Sequence, residues 1–384
     1  MFAENNDESL DHDWFTEYFE EEHANKSKMA QDFTPSELGR LVASFIGKAN
    51  KIADVCAGTG GLTISMWVQN PDSEYICYEY SERAIPLLLL NLSIRNINAT
   101  VIRCDVLTGE EFEAYKVIPC KKYGKVETIS CPPVEKVGAV ISNPPYSLKY
   151  KPESNSRFFE YRNMLPTNFA DYVFVAFALT ILEAGGRAGF ILPHGVLFRS
   201  NKEGMFRTML CKNGFVKSVV GLPDKLFLNT GIPVCVLVLQ NNPSKLDGIL
   251  FIDAKNECSK YGRVNKIESR NFEKILAAYR LRENIEKFSH LASLSEIERN
   301  DYNLNIPRYV NTFEREELPD PLDGLREIAE INKDIYKTEA VLFEMFSELY
   351  SAQGEENSLE ECKKMMHTIV EGDGGQLYFK MSED

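Results

Sequence analysis

The sequence predicts an α/β fold built on a doubly wound parallel sheet. Three observations lead to it. Strand-like and helix-like apolar segments take turns from about residue 33 to residue 240, the alternation that a parallel sheet with crossover helices requires. A glycine-rich turn, Asp54-Val55-Cys56-Ala57-Gly58-Thr59-Gly60-Gly61, joins the first strand to a helix. A later strand ends in Asn143-Pro144-Pro145-Tyr146.

The elements follow in order. FTPSELGRLVASFIGKA predicts a helix opened by Thr34-Pro35, because proline suits a first turn whose N–H groups lack partners. KIADVCAGTG is a short apolar strand running into the turn, and GLTISMWVQN is the helix after it. SEYICYEY predicts a strand, ERAIPLLLLNLSIRN a helix and ATVIRCD a strand. Residues 116–137 then interrupt the alternation as an inserted loop or hairpin that carries Cys120 and Cys131. A metal site there needs two more ligands, and none stands at a plausible spacing. GAVISNPPY is the next strand, ADYVFVAFALTILEAGG a helix stopped by Gly-Gly, and RAGFILP a strand. VKSVVGLP and PVCVLVLQ add two more strands.

Beyond Pro307 the pattern changes. Residues 323–352 are polar and helical in period, with Ile328, Ile335, Leu342 and Leu349 recurring every seven residues and Leu325, Met345 and Phe346 beside them. This is a partial heptad seam that needs a partner helix, from the chain's own domain or from another chain, a second copy included. The expected division is an acidic arm over 1–30, an α/β domain over 31–310 and an acidic helical tail over 311–384.

With 384 residues, 44% of them hydrophobic, the chain can bury a large core. No apolar run of about 18 residues exists, which excludes a transmembrane helix. The start, MFAENNDESLDHDWF, is acidic and lacks the apolar stretch of a secretory signal. Nine cysteines without a CxxC pair predict reduced thiols and a cytoplasmic protein. The net charge of −14 lies in the ends: residues 1–30 carry −7 and residues 311–384 carry −12, while 31–310 carries +5. Overall charge therefore does not exclude DNA, though it predicts weak unaided binding. Within the body, residues 185–225 hold Arg187, Arg199, Lys202, Arg207, Lys212, Lys217 and Lys225 against Glu203 and Asp224. That stretch is the expected phosphate-facing side.

The glycine-rich turn lacks both the G-x-G-x-x-G spacing and the lysine of a phosphate loop. Asp54, Glu79 and Asp105 each end a successive strand. A carboxylate at the second strand end suits a ribose diol, and one at the third can accept from an adenine amine. The three in order favour an adenosine ligand without phosphate. In Asn143-Pro144-Pro145-Tyr146 the prolines stiffen the turn. The Asn143 side-chain oxygen and the Pro144 carbonyl can both accept from one exocyclic NH2, aiming the nitrogen lone pair at an electrophilic methyl group. Tyr146 offers a ring for stacking. Because a sulfonium makes attack by a neutral amine feasible, the effect is one of orientation and hydrogen-bond placement.

QDFTPSELGRLVASFI, then DVCAGTGGL, then NPPY resembles the N6-adenine DNA methyltransferases in which the FTP segment comes first. More narrowly, the chain resembles the methylation subunit of type I restriction–modification systems. GGRAGFILPHGVLFR, VVGLPDKLFLNTGIPVCVLVLQ, ILFIDA and NDYNLNIPRYV are similar to that family too. The resemblance implies a Rossmann-like methyltransferase domain over 31–310 that binds S-adenosylmethionine through Gln31, Asp32, Phe33, Thr34, Pro35 and Ser36, through Asp54 and Ala57, Gly58, Thr59, Gly60 and Gly61, and through Glu79 and Asp105. It implies that Asn143, Pro144, Pro145 and Tyr146 receive a flipped adenine of double-stranded DNA, with Phe227 as a second stacking ring. It also implies a separate specificity subunit as partner, docked by the tail helix. Members usually carry a long helical domain ahead of the FTP segment, where this sequence has an acidic arm of about 30 residues. The usual LPNG reads Leu192-Pro193-His194-Gly195, and Val55 stands where proline is usual. A glutamine or RNA methyltransferase can use the same tetrapeptide, as can an N4-cytosine DNA methyltransferase, which more often carries serine in place of Asn143. An inactive scaffold is disfavoured by the intact Asp54, Gly58, Gly60, Asn143 and Tyr146.

Overall fold

The structure, a computed structural model, describes residues 10–15, 34–150, 161, 164–166, 168–227, 231–242, 247–262, 264–312, 321–347, 360–361 and 363–364. It divides into two units, Met1–Phe313 and Glu314–Asp384.

In the first unit, α1 (Ser36–Ile46) follows Pro35 and buries Leu38, Leu41, Val42, Phe45 and Ile46, which recur at helical spacing on one face. Strand β1 (Lys51–Val55) is buried from Ile52 onward and lies parallel between β2 (Glu74–Glu79) and β6 (Val137–Ser142). Helix α2 (Gly61–Gln69) leaves the turn after β1, and α3 (Ala84–Ile94) connects β2 to β3 (Ala99–Asp105). Helices α1 and α2 meet at Gly39, where a Cβ would fall 2.2 Å from Ser65 Oγ; only glycine permits that approach.

The hairpin β4 (Glu110–Ile118) and β5 (Lys125–Ile129) extends the sheet past β3. On the other side, α4 (Asp171–Ile181) leads to β7 (Leu182–Pro193), and α5 (Asn201–Lys212) to β8 (Val216–Gly221). Strand β9 (Val234–Gln240) runs antiparallel between β7 and β8. Strand β10 (Ile249–Asp253), a small ribbon of β11 (Ser259–Tyr261) and β12 (Val264–Lys266), α6 (Ser269–Leu281), β13 (Ser289–Ala292) and α7 (Leu294–Arg299) follow. The sheet order is β13-β10-β8-β9-β7-β6-β1-β2-β3-β4-β5. Neighbouring residues of one strand, such as Ile52 and Ala53 or Val140 and Ile141, enter different apolar clusters, so one core lies on each face.

Three expectations about this sheet change. It is not wholly parallel, since β4, β9 and β13 run against their neighbours. The insert expected at 116–137 as a loop or hairpin is a hairpin with other bounds: it begins at Glu110, ends at Ile129 and joins the sheet edge at β3. The helix expected to run to Gly-Gly ends at Ile181, and Gly185 and Gly186 lie inside β7. Long-range pairing decides that boundary: the Gly185 N–H donates to the Asn241 carbonyl, the Asn241 N–H to the Gly186 carbonyl, and the Asn241 amide to the Leu182 carbonyl. Propensity is a local bias that such contacts override.

The second unit contains α8 (Pro321–Ser347). Its Leu325, Ile328, Ile331, Ile335, Leu342 and Met345 are exposed. Leu349 and the side chain of Phe346 fall outside the described residues. Among the described residues no helix is long and apolar enough to cross a membrane.

Candidate active site

The turn after β1 is tied to β2 by the backbone. The N–H groups of Cys56 and Ala57 both donate to the Tyr78 carbonyl, at 2.9 and 3.0 Å, and the Gly60 N–H donates to the Ala57 carbonyl at 2.9 Å. Gly60 has a φ of 100°, which side-chain-bearing residues rarely adopt, and a Cβ there would meet Leu88 at 2.9 Å. Glu79, buried at the end of β2, accepts from the Gly58 N–H at 2.7 Å and from the Ser81 N–H at 2.6 Å. Burial pushes its carboxyl up despite those donors.

Asp54 lies beneath the turn and is 1% exposed. Its Oδ2 accepts from the Thr63 hydroxyl at 2.5 Å, while its Oδ1 is buried with no hydrogen-bond partner. Burial pushes its pKa up to about 7, and the Glu79 charge adds to that. Asp105 accepts from the Leu107 N–H at 2.9 Å. Burial raises the Cys56 thiol strongly, and Glu79, Asp54 and Asp105 raise it further. Asp54 and Glu79 thus flank this turn, and Asp105 ends the neighbouring strand β3.

Asn143 stands just past β6, whose last residue, Ser142, donates from its hydroxyl to the Val55 carbonyl of β1. The Asn143 amide nitrogen donates to Thr34 Oγ1 at 3.0 Å, and its oxygen accepts from the Tyr146 hydroxyl at 2.7 Å. Thr34 of the FTP segment thus ties the Asn143 side chain to the start of α1. Tyr146 and Phe227 meet edge to face, with ring centroids 6.1 Å apart. Phe227 is also buried in one of the two cores. Pro144 is buried and Pro145 half-buried. Pro35 and Ser36 open α1; Gln31, Asp32 and Phe33 lie outside the described residues.

The loop has a brace that sequence reasoning missed. Ser147 takes a φ of 52°, and its N–H donates to Asp171 Oδ1 at 3.0 Å. Asp171, whose side chain is fully buried, pairs with Arg199 at 3.1 Å; Arg199 also pairs with Glu203 at 3.0 Å and reaches Ser147 Oγ. The available signal was one aspartate at the start of an otherwise apolar helix, a position buried charge occupies only when paired.

That brace also corrects the phosphate-facing expectation for 185–225. Arg199 points into the Asp171–Glu203 pair. Arg207 is 4% exposed and donates to the carbonyls of Tyr302, Val196 and Arg199. Arg187 donates to the Ile46 carbonyl. Lys217 lies against the Tyr279 ring, its pKa pushed down to about 8 by burial and by Arg187 and Arg282. Four of the seven basic residues are thus spent on different elements, which leaves half-buried Lys202 and exposed Lys212 and Lys225 facing outward. His194 takes a structural position, its Nε2 at 3.0 Å from the Val234 carbonyl and its pKa lowered by burial. Among the described residues no cluster of His, Cys, Asp and Glu is placed to hold a metal ion.

The family model described as N-6 DNA Methylase matches residues 12–318. The Type I restriction enzyme MpnII methylase subunit of Mycoplasma pneumoniae is 30% identical over 324 residues, 79% of this chain and 58% of that protein. The MjaVIII methylase subunit of Methanocaldococcus jannaschii is 29% identical over 342 residues, 84% of this chain and 56% of that protein. The crystal structure of a type I restriction-modification system methyltransferase subunit from Streptococcus thermophilus superposes with a TM-score of 0.64 at 31% identity, over 74% of this chain and 60% of that one. The chain therefore spans a little over half the length of the curated relatives it matches.

Proposed function

The chain belongs to the N-6 DNA methylase family, and from that premise we propose that it transfers a methyl group from S-adenosylmethionine to the N6 amine of adenine in DNA, as the modification subunit of a type I-like restriction–modification or related methylation system. The observation that carries the reading is the Asn143 amide, held between Thr34 and Tyr146 beside the glycine-rich turn.

The residues present fit the cofactor. An unpaired, buried Asp54 Oδ1 and two further carboxylates favour a ligand of positive charge. Thr34 to Ser36, Asp54, Ala57 to Gly61, Glu79 and Asp105 hold it, together with Gln31, Asp32 and Phe33. When bound, S-adenosylmethionine supplies an electrophilic methyl group on a positively charged sulfur. The chain's own part is orientation. Asn143 Oδ1 and the Pro144 carbonyl accept the two hydrogens of the target amine, which leaves the nitrogen lone pair directed at the methyl group. Thr34 anchors the amide from the side away from Tyr146. To take the target, Asn143 exchanges the Tyr146 hydroxyl for the amine, and the Tyr146 ring then stacks on the base with Phe227 as its neighbour. The base reaches this site only when flipped from the duplex.

Sequence recognition falls to a separate specificity subunit, docked by the exposed apolar face of α8. Long-read methylation mapping tests the reading in cells expressing the chain with its genomic neighbours. N6-methyladenine at one recognition sequence, absent with Asn143→Ala, is expected. Methylation of cytosine only, or none in DNA, would sink it.

A further inference from the structure

The acidic segment ahead of the FTP motif has no role in the mechanism above, yet residues 10–15 are tied into the glycine-rich turn from several sides. Asp13 Oδ2 accepts from the Thr59 hydroxyl. Asp13 Oδ1 accepts from the Asn91 amide at 2.7 Å and from the Phe15 N–H at 2.9 Å. The same Asn91 amide donates to the Thr59 carbonyl at 2.7 Å, so Thr59 is gripped at both its hydroxyl and its main chain. Asn91 and Thr59 are both fully buried. Arg95, 3% exposed, fixes Asn91 through its Oδ1 at 2.8 Å. It also donates to the carbonyls of Leu10 and His12, and its guanidinium lies 5.1 Å from the centre of the Trp14 ring. Phe15 is buried. A Cβ on Gly61 would lie between Asp13 and the Thr34 carbonyl, which puts the segment beside both halves of the proposed cofactor site.

A buried arginine, a buried asparagine and a buried threonine spent on one six-residue segment is a costly arrangement for a mere tether, because each polar group must be satisfied on leaving water. We propose that residues 10–15 form a strap that is part of the cofactor site, with Asp13 the positioning residue that holds the Thr59–Gly61 turn in its ligand-binding shape. The inference rests on reading that turn as the S-adenosylmethionine site. Thr59 transmits the effect: its hydroxyl is the point where strap and turn join.

The test is calorimetry of the full chain with S-adenosylhomocysteine, at a temperature where circular dichroism shows each variant folded. Asp13→Ala and Thr59→Val should each weaken binding by about tenfold or more, and the double variant should be no worse than the weaker single one. Asp13→Asn should retain binding within a few-fold, since its Oδ1 still serves Asn91 and Phe15 while its amide donates to a turned Thr59 hydroxyl. A lowered melting temperature with unchanged affinity in folded single variants would make the strap structural only and overturn the proposal. Additive losses in the double variant would also overturn it. No binding by the wild-type chain would instead overturn the cofactor reading on which it rests.

Discussion

Asn143 is where the proposed chemistry concentrates, and its hydrogen bonds set what a substitution does. Asn143→Ala removes an acceptor proposed to face the target and breaks contacts to Thr34 and Tyr146, so Thr34 is the one residue of the proposed cofactor site that it touches. Cofactor affinity, measured by calorimetry, should change by no more than a few-fold, while single-turnover transfer should fall by roughly 100-fold or more, the usual worth of one preorganised hydrogen bond. A variant keeping above about a tenth of the rate would remove the orientation mechanism. Asp54 makes a different prediction. Its native pKa near 7 lies above the ordinary 3.8, so the native state keeps a proton that the unfolded chain has already lost. Stability from this group is complete below about pH 4 and is lost as pH rises through about 7. Thermal melts of the ligand-free chain should show a loss, on the order of 4 kcal/mol at most, across that interval, and Asp54→Asn should abolish this component. A cationic ligand should offset it.

Between residue and fold stand the elements that carry the site. The Asn143–Tyr146 loop is held from below by Ser147, Asp171 on α4 and Arg199 beyond β7. Arg199→Met leaves the fully buried Asp171 without its cation, and an unpaired buried charge typically costs about 3–5 kcal/mol. Urea denaturation should show a loss of that order, and transfer rate should fall more than cofactor affinity does, because the brace reaches the catalytic loop and not the turn. Helix α8 carries its own prediction. Its Ile335 and Leu342 are exposed along the heptad seam. Replacing both with Asp should abolish co-purification with a specificity subunit, since two unpaired carboxylates in a helix seam cost several kcal/mol. Cofactor binding should be unaffected. Assembly by that variant would place the contact elsewhere.

For the whole molecule, charge sets how the proposed DNA substrate would be met. The acidic ends outweigh a mildly basic body, and the arginines of 185–225 that looked available for phosphates are spent on internal carbonyls and carboxylates. The chain alone should therefore bind a duplex weakly and with little salt dependence in fluorescence anisotropy. A steep salt slope should appear only when a specificity subunit joins the complex. A strong, salt-sensitive affinity of the isolated chain would show that a basic face exists after all.

Helix α1, strands β1, β2, β3 and β6 and the turn at Gly58 to Gly61 were legible because their determinants are local: spacing of apolar residues, glycine where the chain turns sharply, proline where a strand must stop. The order of Asp54, Glu79, Asp105 and Asn143 at successive strand ends follows from the same reading, since in a parallel sheet those ends share one edge. The antiparallel direction of β9, the placing of Gly185 and Gly186 in β7 and the pairing of the expected hairpin with the sheet edge were not legible, because each depends on partners far along the chain. The same holds for Asp13 on Thr59, Asp171 on Ser147 and the inward turn of Arg199 and Arg207. A charged residue reads alike in sequence whether water or a buried partner receives it. Only tertiary packing decides, because burial makes an unpaired charge too costly to leave unmatched.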